Sequence, residues 1–132
     1  NFSVRFEKGK VVEVRAEKNE ELLKQMVSMD EGASRLGEVA LVPYNSPINE
    51  SGILFFNTLF DENASCHLAF GAAFKNNIKG YETMTDEDFK KMKFNESMNH
   101  VDFMIGSKDL SIIGTKFDGT KVQIFKNGNW AI

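Results

Sequence analysis

Apolar and polar residues alternate from the second position. Phe2, Val4 and Phe6 fall on one parity and Ser3 and Arg5 on the other, which predicts a strand. Gly9 breaks the run and Val11-Val12-Glu13-Val14 resumes it. The pair reads as a β-hairpin turning at Glu7-Lys8-Gly9-Lys10. From residues 19 to 29 the period lengthens: Leu22, Leu23, Met26 and Val27 form one stripe, Asn19 is placed to cap, and Glu20 and Glu21 suit the first turn of a helix. Glu38 to Val42 reads as a short strand with Val39 and Leu41 on one face, Glu38 and Ala40 on the other, and Pro43 as its stop. Ile53 to Phe56 is apolar but fits helix and strand alike. Asp61 or Asn63 is placed to cap a helix running to about Phe74, whose spacing would put His67, Phe70, Gly71 and Phe74 on one face. Thr85, with Asp88 three residues on, marks the start of a short helix ending near Phe94. His100 to Ile105 reads as a strand. A meander follows, with turns at Asp118-Gly119 and Asn127-Gly128. The pattern predicts an α+β fold, mostly antiparallel sheet with hairpins and about three helices.

Composition narrows the class. At 132 residues the chain is expected to form one domain. A net charge of −3 with both signs scattered argues against nucleic acid or an anionic membrane surface as the partner. No apolar run is long enough for a transmembrane helix. No signal-peptide pattern opens the chain, and the single cysteine, Cys66, allows no internal disulfide, so a cytoplasmic location is expected. Twelve Phe point to a dense core or to faces meant to be covered by something else. A start at Asn1, directly inside a strand pattern, reads as part of a longer protein.

The candidate chemistry lies in the polar residues that interrupt these apolar elements. Only two histidines occur, His67 and His100. His100 and Asp102 are two apart on a strand and project from one face, while Val101, Phe103 and Ile105 fill the other. Glu38, Glu62, His67, His100 and Asp102 are the residue types that hold divalent metals. Blander readings stand beside this one. The His-x-Asp pair fits an exposed strand face, His67 fits a core histidine with a satisfied nitrogen, Glu62 fits a first-turn carboxylate, and Glu38 fits an edge-strand polar residue. Cys66 reads as a small buried hydrophobe. No phosphate loop, dinucleotide fingerprint or serine elbow is present.

Gly37-Glu38-Val39-Ala40-Leu41-Val42, Asp61-Glu62-Asn63-Ala64-Ser65-Cys66-His67, His100-Val101-Asp102-Phe103-Met104 and the closing Asn127-Gly128-Asn129-Trp130, in that order, resemble the C-terminal part of the M29 metallo-aminopeptidases. The resemblance covers essentially the whole chain. It implies a cytoplasmic, homodimeric exopeptidase acting on peptides with a free N-terminus through two divalent metal ions, zinc, cobalt or manganese. It carries over Glu38, His67, His100, Asp102 and Glu62 as metal ligands. Glu38 is then the choice for the bridging carboxylate, and Glu62 is alternatively the proton shuttle to the leaving amine. The family's first metal-binding glutamate lies upstream of this chain, so the chain alone is expected to be inactive. Many members carry Tyr where this chain has Phe74. A non-catalytic dimerisation scaffold and another two-metal hydrolase are the competing readings.

Overall fold

The computed structural model describes all residues, Asn1–Ile132. Strand β1 (Phe2–Glu7) pairs antiparallel with β2 (Lys10–Ala16). Their turn places Lys8 at φ 49° and Gly9 at φ 77°, the left-handed pair that a two-residue hairpin loop needs. Helix α1 (Glu20–Val27) follows. Asn19 occupies the residue before it, but at φ 57° its side chain makes no capping bond. The first turn is secured instead by Leu23 N–H to the Asn19 carbonyl, and the Glu20 carboxylate ties back to Ala16 N–H.

Strand β3 (Leu36–Ala40) begins two residues before the expected one. Helices α2 (Pro47–Ser51) and α3 (Thr58–Asp61) follow, and residues 53–56 form neither helix nor strand. The expected helix through His67 does not form. Its start signals serve the single turn of α3 and a 3-10 turn, Glu62–Ala64. Ser65 is then fully extended, at φ −159° and ψ 176°, and His67–Gly71 is strand β4. His67 is therefore a strand residue, and its kinship with Phe74 along one helix face is overturned. Helix α4 (Asp86–Lys91) carries the expected capping box between Thr85 and Asp88. Strand β5 (His100–Met104) precedes the meander β6 (Ile112–Thr115), β7 (Lys121–Lys126) and β8 (Asn129–Trp130). In its last turn Asn127 and Gly128 have φ 51° and 73°. The fold is α+β, with sheets ordered β1-β2, β3-β4-β5 and β6-β7-β8.

The chain divides into two compact units, Asn1–Glu38 with Ala69–Asp102, and Val39–Leu68 with Phe103–Ile132. In the first, Val14, Val27, Ala33, Phe70 and Phe89 are buried, and Phe6 stacks on Phe70 at 6.1 Å. In the second, Cys66 and Phe125 are fully buried, and Phe125 lies 4.4 Å from the Trp130 ring. The buried Ser46 hydroxyl donates to the Asn63 and Ala64 carbonyls and accepts from Asn49 N–H. The phenylalanines divide: Phe70, Phe89 and Phe125 are core, whereas Phe55, Phe56 and Phe60 are exposed.

The sheet that matters for function is β3-β4-β5. Gly71 N–H bonds the Arg35 carbonyl beyond one end of β3, and Cys66 Sγ meets Val42 beyond the other, so β3 and β4 are antiparallel. Ala72 N–H to Asn99 O and Ile105 N–H to Cys66 O do the same for β4 and β5. This register sets His100 opposite Gly71 and Asp102 opposite Ala69. No helix of the chain is long and apolar enough to cross a membrane.

Candidate metal centre

Strand alternation places Leu36, Glu38 and Ala40 on one face of β3, His67, Ala69 and Gly71 on one face of β4, and His100, Asp102 and Met104 on one face of β5. Ligand atoms of Glu38, His67 and Asp102 all lie within 4.8 Å of one another. The central strand contributes small residues there. Ala69 has no exposed surface, and its methyl leaves room between the long side chains of the outer strands.

His100 is the fourth member. Its Nε2 lies 3.5 Å from Glu38 Oε2 and 3.2 Å from Asp102 Oδ1. Its other nitrogen, Nδ1, lies 2.8 Å from the Ala72 carbonyl oxygen. A carbonyl only accepts, so Nδ1 carries the proton, and in the neutral ring Nε2 presents a lone pair. His67 repeats the arrangement, with Nδ1 3.0 Å from the Ser65 carbonyl oxygen. Each histidine is thus fixed in one tautomer by a main-chain acceptor, as metal-ligating histidines usually are.

The group gathers acceptors. Asp102 Oδ1 is buried and makes no hydrogen bond, although His100 Nε2 is 3.2 Å away. The tautomer explains the pairing of short distance and missing bond, since that nitrogen has no hydrogen to give. Burying a carboxylate oxygen without a donor costs several kcal/mol, of order 1–3 or more. Such an arrangement accommodates a positive charge, either a proton on Nε2 or a cation among the oxygens and nitrogens. Two carboxylates and imidazoles of mixed hard and borderline character suit a divalent metal ion.

Glu62 is not one of the three clustered ligands. It opens the 3-10 turn before β4 and is half-buried. Phe74 is beyond β4, and its half-exposed ring lies 4.8 Å from the His100 ring, tilted by 55°. It therefore borders the site through His100 and not through His67. Cys66 turns away from His67 by strand alternation. Its buried Sγ donates to the Val42 carbonyl at 3.2 Å, which ties the chain after β3 to the start of β4. The main-chain carbonyls of Ser65 and Ala72 are functional groups that side-chain patterns do not reveal. Nothing in the sequence marks them: His67 reads there as a helix residue, and Ala72 is far from His100 along the chain.

Comparison with known proteins identifies the family. The family described as Thermophilic metalloprotease (M29) matches residues 1–130. Aminopeptidase AmpS of Bacillus subtilis is 58% identical over 131 residues, which are 99% of this chain and 32% of that protein. Aminopeptidase T of Thermus thermophilus is 51% identical over 128 residues, 97% of this chain and 31% of the relative. The solved structure titled wild-type AmpT from Thermus thermophilus superposes with a TM-score of 0.86 at 50% identity, covering 98% of this chain and 31% of that one. The chain spans about a third of the length of these relatives. It belongs to the M29 family of thermophilic metalloproteases.

Proposed function

We propose that this chain forms the C-terminal, metal-holding portion of a longer aminopeptidase, one that releases N-terminal residues from peptides with a free α-amino group. The observation that carries the reading is the convergence of Glu38, His67 and Asp102 within 4.8 Å, around a buried Asp102 oxygen that has no hydrogen-bond donor. The relatives' own names, aminopeptidase AmpS and aminopeptidase T, support this reaction class.

Glu38, His67 and Asp102 would hold a divalent ion, with His100 beside them. Bound there, such an ion supplies Lewis acidity, polarising a carbonyl and acidifying water. The chain's own residues do the rest. The Ser65 and Ala72 carbonyls hold the two imidazoles with Nε2 forward. Ala69 keeps the floor between the carboxylates open. Phe74 shields one side of His100. Glu62, on its turn before β4, is the candidate to carry a proton to the leaving amine. We read the full enzyme as a cytoplasmic homodimer that would use two ions of zinc, cobalt or manganese, with Glu38 among the residues that would hold them.

The test is leucine release by the full-length protein from unblocked and N-acetylated peptides. Metal-dependent release from the unblocked peptide alone, with most of the activity lost in His67→Ala, His100→Ala and Asp102→Ala, is the expected result. Near-wild-type release by His100→Ala would remove the site assignment.

A further inference from the structure

The two outer strands of the site sheet are reached through two polar segments, residues 30–35 before β3 and residues 95–99 before β5. We propose that Asp30 is a positioning residue for the metal site: its carboxylate clips these two segments together and so sets the level at which Glu38 faces His100 and Asp102. The inference rests on the metal-site reading above and deepens it.

Asp30 Oδ1 accepts Ala33 N–H at 2.8 Å, inside its own segment. Its Oδ2 accepts the Ser97 hydroxyl at 3.0 Å and Met98 N–H at 2.8 Å, 67 and 68 residues away in sequence. A carboxylate serving only its local turn would make the first bond and not the other two. Ser97 Oγ passes the link onward by accepting Asn99 N–H at 3.1 Å. Asn99 directly precedes His100, and its carbonyl accepts Ala72 N–H at 2.7 Å. The Ala72 carbonyl is in turn the acceptor that fixes the His100 ring. The chain of bonds therefore runs without a gap from Asp30 to the imidazole.

Two further features make the clip tight. The backbones touch at Gly32, where a Cβ would fall 1.9 Å from the Glu96 carbonyl oxygen. Asn95 Nδ2 donates to the Gly32 carbonyl at 3.0 Å and to the Gly71 carbonyl at 2.6 Å, so the end of β4 is held to the same point. The hydrogen bonds from Met98 and Ala33 keep the Asp30 carboxyl below its ordinary range, so it stays ionised and an acceptor. Asparagine in its place would turn an NH₂ toward at least one of these donors. Outer partners that orient ligands are worth about 10–100-fold in metal affinity.

The experiment is Zn²⁺ titration by calorimetry, with the visible spectrum of the Co²⁺ form, on the full-length protein and four variants. Asp30→Asn is expected to weaken Zn²⁺ binding about tenfold, the low end for such partners, and to alter the Co²⁺ bands while the far-ultraviolet dichroism stays unchanged. Ser97→Ala, which cuts the relay but keeps the carboxylate, is expected to act in the same direction and less. Asp88→Asn breaks the capping box of α4, a comparable local loss away from the clip, and is expected to leave both readouts alone. Wild-type affinity and spectrum in Asp30→Asn and Ser97→Ala would overturn the proposal, and so would an equal loss in Asp88→Asn. Should Asp30→Asn not fold, Ser97→Ala decides. His100→Ala separates the two levels: if it binds Zn²⁺ as the wild type does, the metal-site reading falls and takes the clip with it. If it loses Zn²⁺ while Asp30→Asn and Ser97→Ala do not, only the clip falls.

Discussion

Gly71→Ala adds one methyl group at the point where the central strand of the site sheet passes closest to its neighbour. Gly71 has φ +94°, and an added Cβ would lie 2.1 Å from the Asn99 carbonyl oxygen, 2.7 Å from Asn99 Oδ1 and 2.8 Å from Asn99 C. Two of those atoms are backbone, so no side-chain rotation relieves the overlap. Forcing a residue with a Cβ into the left-handed region costs about 1–2 kcal/mol, and overpacking a filled site costs about 1–3 kcal/mol more. The expected destabilisation is about 2–5 kcal/mol, a large share of the 5–15 kcal/mol typical of folded proteins. Asn99 precedes His100, and Ala72, which follows Gly71, holds the His100 ring. The strain therefore enters at the site, and metal affinity should fall together with stability. Urea unfolding of the full-length protein, followed by tryptophan fluorescence and circular dichroism, measures the first. Calorimetric Zn²⁺ titration measures the second. An unchanged urea midpoint with wild-type Zn²⁺ affinity would refute the argument that β4 and β5 are locked at this point.

Phe125→Ala removes a ring with no exposed surface that packs at 4.4 Å on Trp130, and it should cost about 3–5 kcal/mol; a loss below about 1 kcal/mol in urea unfolding would contradict this core assignment. Phe74→Tyr should fold normally, since the ring is half-exposed, and should shift turnover or metal affinity because it lies 4.8 Å from His100; identical kinetics would show that its edge faces away from the chemistry. Asp30 gives a pH signature. Its carboxyl pKa is lowered on folding by the bonds from Met98 and Ala33. Its stabilisation is therefore complete above the unfolded carboxylate pKa and disappears as pH falls through the lower folded value. Asp30→Asn should flatten the acid side of the stability curve, read as urea midpoints from neutral pH downward, and a curve parallel to wild type would contradict it.

Local chemistry made much of the fold readable. Gly9 and Asn127-Gly128 mark hairpin turns because glycine and asparagine enter the left-handed region readily, and the structure has both turns, with Lys8 drawn into that region beside Gly9. Thr85 and Asp88 specify a helix start because each satisfies the other's backbone donor, and that box is present. The error at His67 has an equally physical cause. Asp61-Glu62-Asn63 does begin helical turns, but they stop at Ala64. Cys66 to Gly71 is then a short apolar run, and periodicity alone cannot separate a buried strand from a buried helix. Here both faces of β4 are covered, with only Leu68 partly exposed, so the alternation that would have marked a strand is erased. His100 and Asp102 were legible as a pair because β5 keeps that alternation. The approach of His67 to Glu38 and Asp102 was implied by the family resemblance and not by periodicity, because it depends on strand order across long sequence separations. The clip centred on Asp30 was hidden for the same reason: its turn looks like any helix terminus until residues 97 and 98 are brought against it.

The most direct test of the central claim is anomalous diffraction from crystals of the full-length protein, collected on both sides of the absorption edge of the metal found in it by elemental analysis. The account predicts an anomalous peak within coordination distance of Glu38, His67 and Asp102. Crystals that show the protein's metal bound elsewhere, with no anomalous peak at this group and the Asp102 oxygen satisfied by a protonated His100, would contradict it.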